Sequence, residues 1–154
     1  MSLAFQVIEK ATSQGKRIAT AESCTGGMVA AALTDIPGSS VVVDRGFITY
    51  SNAAKIEMLG VAGRTLDSHG AVSEPVAVEM ATGSLARSGA DVAVSITGIA
   101  GPGGSEHKPE GRVCFAVADQ DGVTVETIDF GPRGRVQVRA AARDHALNLL
   151  LSAL

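Results

Sequence analysis

Ser23 stands in the run Thr20-Ala21-Glu22-Ser23-Cys24-Thr25-Gly26-Gly27, where a strand-like segment gives way to glycines and then to an Ala-rich stretch. A serine on a strand-to-helix turn presents its hydroxyl outward, and backbone N–H groups at the helix start can stabilise an oxyanion or hold a phosphate. On local physics alone, a serine or threonine capping the next helix explains the run equally well. Cys24 is the rival nucleophile, because a helix N-terminus lowers a thiol pKa. No histidine lies near it in sequence, and a small buried cysteine is the favoured reading.

Thr97-Gly98-Ile99-Ala100-Gly101-Pro102-Gly103-Gly104 is the most glycine-rich segment of the chain. It lacks the Walker A lysine and the dinucleotide Gly-x-Gly-x-x-Gly spacing. It follows a buried apolar run directly and continues through Ser105 to Pro109, which favours a binding loop over a simple turn. Glycines there let the backbone approach a ligand closely. In Thr49-Tyr50-Ser51-Asn52-Ala53-Ala54-Lys55, a helix beginning near Ser51 would allow Lys55 and Tyr50 to face one cleft. Burial can depress a lysine pKa enough for the amine to activate a serine. By themselves these residues read as a surface lysine and a half-buried packing tyrosine. Arg133, Arg135, Arg139 and Arg143 crowd the start of the last helical stretch, and the last three are spaced by four. Cations there oppose the helix macrodipole, so an anion from a substrate, a partner or Asp129 and Asp144 would relieve the conflict. A solvated stripe accounts for them as well.

These pieces require an alternating framework. The spacing predicts helices over Ser2–Ser13, Met28–Thr34, Ser51–Leu59, from Ser73-Glu74-Pro75 onward and over about Arg133–Leu151. Strands are expected at Arg17–Ala21, at Val41–Val43 with Gly46–Tyr50, at Asp91–Ile96, and in a hairpin of Arg112–Ala118 with Val123–Phe130. The expected fold class is α/β: a single three-layer α/β/α sandwich with a mixed, mostly parallel central sheet over residues 1–154.

Four Phe, one Tyr and no Trp, beside 18 Gly and many Ala, mean that small side chains must pack helices closely on the sheet. No apolar run is long enough for a membrane helix, and the N-terminus lacks a secretory signal pattern. A net charge of -3 gives no general reason to bind nucleic acid. Two cysteines without CxxC spacing fit reduced cytoplasmic thiols. Three histidines without paired spacing and acids without a cluster imply neither zinc nor another metal, and no cofactor is expected. Ala-rich helices permit a self-associating face, and so a homo-oligomer, without establishing one.

Ala21–Gly27, Gly46–Lys55, Gly70-Ala71-Val72-Ser73-Glu74 and Ser95–Gly104 together resemble the CinA C-terminal domain family, in the right order over roughly Ala4 to Leu150. The resemblance implies a nicotinamide-nucleotide amidohydrolase, which converts nicotinamide mononucleotide to nicotinate mononucleotide and ammonia. It implies Ser23 as nucleophile, Lys55 as its base and Tyr50 as a companion in proton transfer or orientation. Thr97 and Gly98 would line the oxyanion region, Thr25, Gly26, Gly27, Gly101 and Gly103 the substrate site, and Arg139 would touch the substrate. Longer members carry an added N-terminal domain associated with pyrophosphatase activity, which is not expected here. A nucleotide-binding module without turnover and an interaction domain acting through the arginines are the competing expectations.

Overall fold

The computed structural model describes residues 1–105 and 107–154. Glu106, inside the expected loop from Thr97 to Pro109, lies outside them. In chain order come α1 (Leu3–Gln14), β1 (Ile18–Glu22), α2 (Met28–Thr34), a 3-10 turn (Ser39–Val41), β2 (Val43–Ile48), α3 (Asn52–Leu59), α4 (Gly63–His69), α5 (Glu74–Ala86), β3 (Val92–Gly98), β4 (Arg112–Asp119), β5 (Gly122–Asp129) and α6 (Arg135–Ala153). Most boundaries fall within a residue or two of expectation, because the local signals are used. Ser2, Ser51 and Ser73 each cap a helix by accepting a hydrogen bond from a backbone N–H three residues on. Gly60 closes α3 at φ 71°, a left-handed turn that glycine adopts without a Cβ penalty.

The sheet order is β2-β1-β3-β4-β5. β1 pairs in parallel with both β2 and β3, whereas β3–β4 and β4–β5 are antiparallel. The sheet is therefore mixed, and four of its five strands run in one direction. Helices α1, α2 and α6 cover one face, with Val7, Ile8, Val29, Leu33, Val138 and Leu147 packed on Val94, Ile96 and Phe115. α5 covers the other face, where Ala77 and Ala81 meet Cys114, Ala116 and Ala118. Strand alternation thus sends the larger side chains of β3 and β4 one way and the small ones the other. The small face lets a helix approach until Ser95 Oγ donates to the Ala77 carbonyl at 2.7 Å. Close approach of this kind fills the core that five aromatics could not.

Two expectations are corrected. Val41 belongs to the 3-10 turn, and the sheet-edge strand β2 ends at Ile48, so Tyr50 sits beyond it in a connecting segment. α4 was not anticipated: Gly63-Arg64-Thr65-Leu66 has no apolar period, and its N-cap, Ala62, has no capping side chain. The missing cap is supplied across space, since Glu79 Oε1 on α5 accepts from the Ala62 N–H at 2.8 Å. Among the described residues, no helix is long and apolar enough to cross a membrane.

Candidate active site

Because β1, β2 and β3 are adjacent and parallel, their carboxyl ends emerge together, with Glu22 in register with both Ile48 and Ile96. Open α/β sheets bind ligands at such an edge. Ser23 extends β1 by one ladder bond, its N–H donating to the Ile96 carbonyl at 2.9 Å, and its own carbonyl accepts from Gly26 N–H at 3.1 Å to start the turn. The Ser51 cap sets the first turn of α3 so that Lys55 points back under the strand ends. Lys55 is the largest fully buried side chain, at 1% exposure. Its Nζ lies 3.0 Å from Ser23 Oγ, 2.9 Å from the Thr49 carbonyl and 3.4 Å from the Tyr50 carbonyl. A surface lysine is ruled out by that burial.

Thr97 and Gly98 differ in role because of the ladder. Ile99 N–H donates to the Arg112 carbonyl at 2.9 Å, so antiparallel alternation turns Thr97 toward β4 as well and Gly98 toward the opposite edge, beyond the end of β1. The Gly98 N–H is thus directed away from β4, at the cleft-lining end of β3. A Cβ at Gly98 would stand 2.6 Å from Val113 Cγ2, so the close strand approach needs glycine. Thr97 Oγ1 donates to the Ala71 carbonyl at 2.8 Å and ties β3 to the start of the α5 segment. Ser23, Tyr50, Lys55, Thr97, Gly98, Gly101, Gly103 and Arg135 line a cleft of about 350 Å³, large enough for a small organic ligand.

Residues 1–154 match the CinA C-terminal domain family. The chain belongs to that family. It is 54% identical over 145 residues to nicotinamide-nucleotide amidohydrolase PncC of Escherichia coli, a match covering 92% of this chain and 88% of that one. It is 55% identical over 140 residues to a CinA-like protein of Mycobacterium marinum, of which it spans only 33%. The competence/damage inducible protein CihA from Agrobacterium tumefaciens superposes with a TM-score of 0.95 at 50% identity, covering 97% of this chain and 92% of that one. A CinA superfamily protein from Escherichia coli does so at 0.94 and 36% identity, with 99% and 91% covered.

Within this family fold, Thr25, Gly26 and Gly27 do not line the cleft. They turn around Glu22, whose buried carboxylate accepts from Thr25 Oγ1 at 2.7 Å and from the N–H groups of Gly27, Val29 and Ala30 at 3.2, 3.0 and 3.1 Å. The positive end of α2 is therefore filled by the chain's own anion. Glu22 was missed in the sequence, although an acid placed just ahead of a Thr-Gly-Gly helix entry is the signal that could have found it. Arg139 also lies outside the cleft lining: Nε donates to the Cys24 carbonyl at 3.0 Å and Nη2 to the Thr25 carbonyl at 3.3 Å, clamping the turn from behind.

Tyr50 is not a half-buried packing residue. The residue is 58% exposed at the cleft mouth, and its hydroxyl accepts from Arg135 Nη2 at 2.6 Å. Burial pushes the Cys24 thiol up to about 12, and the nearby Glu22 charge adds to the effect, against a smaller opposing bond from its own backbone. The thiol stays protonated near neutral pH and is a poor nucleophile. Two outcomes are expected: Cys24→Ala keeps activity within about threefold, and native protein at pH 8 resists alkylation at Cys24, read by peptide mass spectrometry.

Proposed function

We propose that this chain is a nicotinamide-nucleotide amidohydrolase, releasing ammonia from nicotinamide mononucleotide through a serine ester. The relationship to the Escherichia coli amidohydrolase supports the reaction, since it spans nearly the full length of both chains. The observation that carries the chemistry is the 3.0 Å contact between Ser23 Oγ and the buried Nζ of Lys55.

A neutral lysine amine has two N–H donors and one lone pair. The Thr49 and Tyr50 carbonyls hold Nζ beside Ser23, and in the neutral amine the lone pair can take the Ser23 hydroxyl proton across the 3.0 Å contact. Ser23 Oγ attacks the amide carbon as its proton passes to Lys55, and the carbonyl oxygen becomes an oxyanion beside the Gly98 N–H. Lys55 returns the proton to the leaving nitrogen, the C–N bond breaks, and ammonia departs. Water then attacks the ester with Lys55 again as base, freeing nicotinate mononucleotide and restoring Ser23. Tyr50 orients the pair through its carbonyl on Lys55.

The proposal extends to a cytoplasmic site of action, which suits two free cysteines, and to a small nucleotide as the partner. Wild-type protein is expected to release ammonia and nicotinate mononucleotide stoichiometrically, with undiminished rate in a metal chelator. Folded protein that yields neither product would end this reading.

A further inference from the structure

A nucleotide brings a phosphate as well as an amide, and the amidase chemistry leaves that phosphate without a partner. Most groups suited to an anion are already engaged within the chain. Glu22 occupies the start of α2. In the glycine-rich loop, Gly103 N–H donates to Glu110 Oε1 at 2.6 Å, while Glu110 Oε2 accepts from Gly134 N–H at 3.2 Å. The turn between the loop and α6 thus also holds a carboxylate of the protein itself.

The four arginines around the start of α6 separate in the same way. Arg133 lies over the Phe130 ring, 5.6 Å from its centroid, and Arg143 pairs with Asp144 at 2.8 Å. Arg139 holds the Cys24 and Thr25 carbonyls. Arg135 alone of the four lines the cleft. Its Nη1 donates to the Gly101 carbonyl at 2.7 Å and its Nη2 to the Tyr50 hydroxyl at 2.6 Å, so it spans the mouth from the glycine loop to the α3 entrance. Both acceptors are neutral, and no carboxylate pairs with Arg135 among the described residues.

We propose that Arg135 is the phosphate-recognising residue of the cleft, parked across its mouth on Tyr50 and Gly101 until a nucleotide phosphate takes over the guanidinium. Two hydrogen bonds to uncharged oxygens are then exchanged for a bidentate contact with an anion, the arrangement that a planar guanidinium favours with phosphate. The arriving anion also relieves a cation sited at a helix N-terminus. The exchange releases the phenol of Tyr50, so occupation of the outer part of the cleft is communicated to the segment whose carbonyls hold Lys55. The division of labour follows: Arg135 reads the phosphate, and Arg139 positions the nucleophile turn.

This inference rests on the amidase reading but fails separately from it. The experiment compares wild-type, Arg135→Gln and Arg139→Gln proteins on nicotinamide mononucleotide and on nicotinamide riboside, which lacks the phosphate, by calorimetric titration and by ammonia release. Wild-type protein is expected to prefer the mononucleotide by about 10- to 100-fold in kcat/KM and in affinity. Arg135→Gln should remove most of that preference through a raised KM. Arg139→Gln should lower kcat on both compounds and retain the preference, a split that general destabilisation would not produce. Equal wild-type affinity for the two compounds, or undiminished discrimination in Arg135→Gln, overturns the assignment. If neither compound releases ammonia, the amidase reading is lost, while the titration still reports whether phosphate binding depends on Arg135.

Discussion

Ser23→Ala is expected to lower ammonia release from nicotinamide mononucleotide by about 10⁴-fold or more while the protein stays folded. Losing the nucleophile of a unit that acts together typically costs on this scale, equivalent to about 5.5 kcal/mol of barrier. The fold should tolerate the change. The ladder bond from Ser23 N–H to Ile96 is a backbone contact that alanine preserves, and Lys55 keeps the Thr49 and Tyr50 carbonyls as acceptors. The lost side-chain bond is worth about 1 kcal/mol. Paired measurements decide the matter: thermal unfolding within a few degrees of wild type, and ammonia release at background. Acid quenching during wild-type turnover should trap the substrate acyl group on the peptide containing Ser23, and the variant should show no such mass. A folded Ser23→Ala protein retaining a tenth of the activity would remove Ser23 from the nucleophile role.

Much of this arrangement was readable from local residue chemistry, and the reasons differ from element to element. The cap serines Ser2, Ser51 and Ser73 and the closing Gly60 act within a few residues of chain, so α1, α3 and α5 were legible. β3 was legible because both its faces are covered and its apolar run is unbroken. α4 was not, because its N-terminal N–H is satisfied by Glu79, distant in sequence. Such partners leave no local periodicity.

The site divides along the same line. Ser23, Lys55, Gly98 and the glycine loop were marked by residue type and by the family resemblance, and the strand order brings them to one edge. What could not be read was the direction of each polar group. Thr25 and Gly27 carry the residue types of an anion cradle, yet the anion they hold is Glu22. The arginine stripe gave four equivalent cations, and only their partners distinguish Arg135 in the cleft from Arg139 behind the turn. Tyr50, the lone tyrosine, contributes its carbonyl to Lys55 and its hydroxyl to Arg135, two functions that composition could not separate.

Lys55→Ala is expected to lower kcat/KM by about 10³-fold, within the range attributed to a positioned general base and equivalent to about 4 kcal/mol. The variant distinguishes a proton acceptor from a fixed charge. If Lys55 acted only as a cation beside the oxyanion, activity would persist at acidic pH, where the ammonium is fully formed. If it acts as the base, only the neutral amine works, so wild-type kcat/KM should fall on acidification, and the residual activity of the variant should lose that acidic limb. Truncation also opens space beside Ser23, since the Lys55 side chain is fully buried. Methylamine should therefore restore part of the rate, in proportion to the concentration of its free base and hence increasingly as pH rises. Lys55→Arg offers the complementary control, because a guanidinium keeps the charge but cannot give up its proton near neutrality. A folded Lys55→Arg protein with near wild-type turnover, or a Lys55→Ala protein with an unchanged acidic limb, would assign the proton transfer to another group. Failure of Lys55→Arg together with free-base rescue of Lys55→Ala places the transfer at the Lys55 position.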